Sequence, residues 1–252
     1  MDQPVTFPDT ETYYVVWLGG TSGAFISMCL YNMTTKETEI VLSEHGNAHI
    51  NQKLINNNYL ITNEGSGKIY NCVSPKFKNV PLIFVDHEPI IEFDKLFTRY
   101  PKCKVIIVHV HDKMIERLLG NMYYKNWCDL DYVSGSSGMW GKIRAREMSE
   151  YDDPKDVPME LVKNFLQKMA SVYIKDNKDP FFFSKGNLPE EYKNSIFYID
   201  FYDIIHNMHK VLSQLSDITG RPVSKFLEEQ ALNYQLKQVE LVNSKLPWID
   251  DK

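Results

Sequence analysis

The sequence predicts an α/β fold, a central parallel sheet with helices on both faces. Two observations carry it: short apolar, β-branched runs alternate with stretches of helical periodicity, and the first run ends in a small-residue turn that opens into a helix. Strand, helix, strand, helix requires crossover connections, and right-handed crossovers lay the strands parallel. The 252 residues read as one domain, 1–252, with 43% hydrophobic and 24% charged residues, the balance of an ordinary globular protein that can bury a core.

Tyr13 to Leu18 (YYVVWL) reads as a buried strand entering a tight turn at Gly19-Gly20, and a helix follows from Ala24 to Met33. Pro81 to Val85 (PLIFV) is a second strand; an amphipathic stretch from Ile90 to Tyr100 reads as a helix ended by Pro101. Lys104 to Val110 (KVIIVHV) is the clearest buried strand, and Met114, Leu118 and Met122 give Lys113 to Lys125 a helical period. After a Gly/Ser-rich loop, Ser134 to Gly141, a helix is expected over Met159 to Tyr173. Ser195 to Phe201 (SIFYIDF) is the last strand. The spacing of Ile204, Ile205, Met208, Val211, Leu212, Leu215 and Ile218 predicts one helix terminated by Gly220 and Pro222, and a final helix runs from Ser224 to Asn243.

Composition excludes several function classes. A net charge of −5 argues against nonspecific nucleic-acid binding. The acidic, proline-containing start lacks the pattern of a secretory signal, and no stretch supplies the roughly 20 apolar residues that span a bilayer, so a cytoplasmic protein with no membrane partner is expected. The cysteines, Cys29, Cys72, Cys103 and Cys128, show no paired spacing and read as free, packing thiols. No metal is expected: His109-Val110-His111-Asp112, His45/His49 and His206/His209 each lack the third and fourth ligands of a recognised motif.

The chemistry points to the turn Gly19-Gly20-Thr21-Ser22-Gly23-Ala24-Phe25. Small residues between a strand and a helix let successive backbone N–H groups converge on an anion, and the helix N-terminus adds about half a positive charge. The alternative for the same residues is chain reversal alone. Two other glycine clusters are not phosphate loops: Gly65-Ser66-Gly67-Lys68 lacks the leading glycine and has no clear strand before it, and Gly135 to Lys142 has Ile143 where a Ser or Thr would hold magnesium.

On these residues the chain resembles the sulfotransferases, whose P-loop NTPase-like fold binds 3′-phosphoadenosine 5′-phosphosulfate. Thr21-Ser22-Gly23-Ala24-Phe25 is similar to the family's 5′-phosphate loop, and Phe84-Val85-Asp86-His87-Glu88-Pro89 to the strand end that carries its catalytic base. Lys104 to Asp112 followed by Glu116 to Asn121 resembles the strand and helix of the 3′-phosphate motif, and Ile196 to Asp203 the late strand and acidic turn. The resemblance implies donor contacts at Gly20, Thr21, Ser22, Gly23, Ala24 and Phe25, with His111 and Asn121 at the 3′-phosphate and His87 as general base toward a small-molecule or glycan-like acceptor. Thr21 stands where the family has Lys or Arg, and His111 or Val110 where it has arginine; Lys142, Arg144, Arg146, Lys113 and Lys185 are candidates for the missing charge. The implied activity is sulfonate transfer to a hydroxyl or amine, with a catalytically degenerate nucleotide- or anion-binding protein of the same fold as the alternative.

Overall fold

A computed structural model describes residues 6–17, 22–34, 60–62, 81–87, 91–123, 151, 156–176, 184–185 and 190–249. Their contacts group into two compact units, Met1–Val110 with Phe181–Lys237, and His111–Pro180 with Gln238–Lys252.

The first unit holds a five-stranded sheet built from β1 (Thr12–Trp17), β2 (Leu60–Thr62), β3 (Leu82–His87), β5 (Cys103–His109) and β7 (Ile196–Asp200), in the spatial order β2-β3-β1-β5-β7. Every pairing is parallel, as the alternation of elements predicts. All six residues of β1 are buried, although successive side chains point to opposite faces, so both faces of the sheet are covered at its centre. The helix α1 (Gly23–Thr34) packs against β1 and β3, and it buries Phe25, Ile26, Met28, Cys29 and Leu30 together, the pattern of a helix enclosed on most sides.

Three features depart from the sequence expectations. The stretch read as a helix from Ile90 begins in β4 (Ile91–Glu92), which pairs in parallel with β6 (Ser184–Lys185) as a second small sheet; the helix α2 starts only at Phe93 and runs to Arg99. A strand, β2, precedes Gly65, where none was expected, although residues 63–80 lie outside the described set. The helix expected through Ile204 to Ile218 is two helices. The strand β7 stops at Asp200 because its carboxylate accepts the amide of Tyr202 at 2.9 Å and caps α5 (Phe201–His206). The amide side chain of Asn207 then bonds the Asp203 carboxylate at 3.0 Å while its backbone leaves the helical region, and α6 (Met208–Thr219) starts afresh. Gly220, at φ 67°, ends α6 in the left-handed conformation that glycine adopts without strain.

In the second unit, α3 (Asp112–Tyr123) packs against α4 (Met159–Asp176), burying Met114, Ile115, Leu118, Val162, Phe165 and Leu166 at helical spacing. The end of the chain lies on α3: Leu246 occupies the space beside Gly120, and the Trp248 indole donates to Glu116 at 2.8 Å. Arg117 is fully buried and donates to the carbonyl of Gln238 at 3.3 Å. The last helix, α7, covers Lys225–Lys245. Among the described residues no helix is long and apolar enough to cross a membrane.

Candidate functional site

Because all pairings are parallel, the carboxyl ends of the five strands share one edge. There Thr62, His87, Trp17, His109 and Asp200 close β2, β3, β1, β5 and β7 in spatial order. The strand β1 sits between β3 and β5, so the chain leaving β3 must pass to the other side of β1 to form the next strand of this sheet. Ligands in open parallel sheets bind at such a reversal point, outside the carboxyl ends. The register is specific: Trp17, the last residue of β1, pairs with His87, the last residue of β3. On the other side of β1, His109 pairs with Asp200. Two segments about seventy residues apart in sequence, the turn after β1 and the histidine ending β3, therefore start from neighbouring backbone positions on one rim.

The turn enters α1 through Ser22 and Gly23. Ser22 has φ 69°, the left-handed region, at a cost of roughly 1–2 kcal/mol for a residue with a side chain, and its carbonyl accepts the Ile26 amide at 3.1 Å to begin the helix. Gly23 has no room for a side chain, because an added Cβ would lie 2.0 Å from the Trp17 indole. No acidic side chain occupies the first turn of α1, so its positive end is not offset from within the helix. The Ser27 hydroxyl back-bonds to the Gly23 carbonyl at 2.9 Å.

Ala24 is half-buried, and Phe25 is fully buried with its ring stacked on Tyr234 of α7 at 4.2 Å and 6°. The Tyr234 phenol donates to the Ser22 hydroxyl at 2.6 Å, and burial pushes its pKa from 10.0 up to about 12. The sequence pattern of the last helix does not single out Tyr234.

Of the other residues read from the sequence, Gly20 and Thr21 lie outside the described set, as do the side chains of His87 and Asn121. His111 is exposed at the start of α3, where its carbonyl accepts the Met114 amide at 2.8 Å; with Asn121 it belongs to the second unit. Lys113 is exposed on α3, and Lys185 lies in β6. Lys142, Arg144, Arg146, His45 and His49 lie outside the described residues. The His206 ring sits 4.4 Å from Tyr202, and His209 lies 3.4 Å from the Glu228 carboxylate.

No protein-family model matches the sequence, and no curated protein is found similar to it. Among solved structures, the chain is similar to a retinol dehydratase in complex with androsterone and the inactive cofactor PAP, at 10% identity and a TM-score of 0.39, covering 93% of this chain. It is also similar to a sulfotransferase from Alicyclobacillus acidocaldarius, at 10% identity and a TM-score of 0.36, over 95% of this chain and 96% of that one. The chain spans 65% of the length of the retinol dehydratase it matches. The second of these neighbours bears the name of the family that the sequence resembles. The parallel sheet stands on its own strand pairings.

Proposed function

We propose that the chain binds the 5′-phosphosulfate end of 3′-phosphoadenosine 5′-phosphosulfate against the turn between β1 and α1, and transfers its sulfonate to a hydroxyl or amine acceptor. The observation that supports this most is the register of Trp17 with His87, since it starts an anion-cradling turn and an imidazole-bearing residue from adjacent strand ends at the reversal point of the sheet. In this reading the backbone N–H groups of Gly20 to Ala24 and the positive end of α1 hold the donor's oxyanions. His87 takes the proton from the acceptor as its oxygen or nitrogen attacks sulfur, and the 5′-phosphate leaves in line. A histidine suits that task because imidazole changes protonation near neutral pH.

A binding-only reading is favoured by Thr21 and by the absence of the family's 3′-phosphate arginine, where this chain has Val110-His111. Thr21 supplies no positive charge where the sulfotransferase loop has a cation, and charge on the departing phosphate is what such a cation stabilises. A transfer assay with labelled donor and a panel of phenolic, alkyl-hydroxyl and amine acceptors separates the two readings. Label in an acceptor supports the enzyme; nucleotide binding without transfer supports the binding protein.

A further inference from the structure

We infer that Tyr234 is a positioning residue for the turn, holding the Ser22 hydroxyl as a hydrogen-bond donor toward a bound oxyanion; this rests on the anion-binding reading above. A serine hydroxyl has one proton to give and two lone pairs to offer, so whether it faces an anion as donor or acceptor depends on its other partner. The phenol 2.6 Å away is the stronger donor of the two, and it fills one lone pair of Ser22 Oγ. Among the described residues, Ser22 Oγ has no other hydrogen-bond partner in the protein, which leaves its own proton to point elsewhere.

The phenol is fixed in place. Tyr234 is 4% exposed, and its ring is stacked on Phe25, which lies in the first turn of α1, three residues after Ser22. Its oxygen can therefore follow neither water nor an alternative rotamer without breaking that stack. Burial also keeps the phenol protonated through the neutral range, so it remains a donor at every pH at which the protein would work. Ser22 meanwhile keeps a left-handed backbone that glycine would adopt without strain. A serine at such a position is accounted for if its hydroxyl is needed, and the bond from Tyr234 gives that hydroxyl a defined orientation.

The test uses the full chain, 3′-phosphoadenosine 5′-phosphate as probe, and titration calorimetry on four proteins: the unaltered chain, Tyr234→Phe, Ser22→Gly and the double variant. Phenylalanine keeps the ring on Phe25, and glycine accepts the backbone angle of Ser22, so neither change asks the fold to move. Tyr234→Phe should weaken binding about fivefold, the size of one hydrogen bond. The double variant should bind no more weakly than Ser22→Gly alone, because Tyr234 acts only through that hydroxyl. A merely structural tyrosine would give equal losses in both backgrounds. Equal affinity of Tyr234→Phe and the unaltered chain overturns the inference, and so does a further fivefold loss in the double variant. Absence of binding by the unaltered chain is a separate result: it overturns the proposed function, and this inference with it.

Discussion

The two rims of the sheet are built differently. At the amino rim, where β1 and β5 begin, charged groups close on one another: the Glu11 carboxylate is held by the Tyr13 phenol and by Arg221 at 2.8 Å, and Lys104 donates to the Ile218 carbonyl while lying 5.9 Å from the Tyr13 ring centre. A cavity of about 480 Å³ opens there, lined by Asp9, Glu11, Lys102, Lys104, Asn194 and Ser195, and Lys102 already pairs with Asp9 at 3.2 Å. At the carboxyl rim, the turn into α1 is made of small residues around a left-handed serine, with no acidic side chain in the first helical turn and a histidine on the adjacent strand end. A cavity whose charges are matched within the chain asks little of a ligand. A helix start with its positive end not offset by an acid of its own is suited to an anion.

The largest expected effect separates these rims by chemistry. His87→Ala should lower sulfonate transfer by about 10²- to 10⁴-fold, the range of a positioned general base, while leaving affinity for 3′-phosphoadenosine 5′-phosphate within about twofold of the original. Rate and affinity falling together would place His87 with the donor, and an unchanged rate would remove it from the mechanism. Next in size is Gly23→Ala. The added methyl meets the rigid indole of Trp17 rather than a yielding side chain, so the protein should lose about 3 kcal/mol in chemical denaturation. The same change at Gly120 meets the end of the Leu246 side chain at 2.5 Å, which can rotate, and should cost less. If Gly120→Ala proves the costlier of the two, the close approach of Gly23 and Trp17 is not a constraint on the turn.

Arg221→Ala is the matching test of the amino rim. Loss of a half-exposed ion pair should cost about 1 kcal/mol in stability and leave nucleotide affinity unchanged, because its partner lies at the opposite edge of the sheet. A loss of affinity would bring the amino rim into the binding site. The effect that is smallest at neutral pH grows in alkali. Tyr234 has a folded pKa of about 12 against an ordinary 10.0, so the stability linked to its proton is present in full below pH 10 and is lost as pH rises toward 12. Tyr13, also raised by burial and by its bond to Glu11, acts in the same direction. Denaturation at pH 7 to 11 should show Tyr234→Phe losing less stability in alkali than the unaltered chain, and parallel curves would contradict the burial of the phenol.

The reach of the sequence can be read from these same residues. The central strands were recognisable because β1, β3 and β5 are continuous apolar runs, as strands buried on both faces must be. The three residues of β2 are too few to carry a period, and β4 and β6 have two each, so pairing rather than pattern creates them. The break at Asn207 was hidden because the apolar spacing runs through it without a skip; a side-chain bond to Asp203 competes locally with a pattern that the core does not interrupt. At the candidate site, Ser22, Gly23 and His87 stood out as residue types next to strand ends. Tyr234 did not, since its role depends on a contact 212 residues away, and Phe25, read as a donor contact, has its ring in the core against that tyrosine.

The central claim is that the β1 to α1 turn takes the phosphate end of a nucleotide. Calorimetric titration of the intact chain with 3′-phosphoadenosine 5′-phosphate, repeated with Ser22→Gly, tests it most directly. The account predicts saturable one-to-one binding that weakens at least fivefold in the variant, the loss of one oriented donor. No binding, or binding that the substitution at Ser22 leaves untouched, would contradict it.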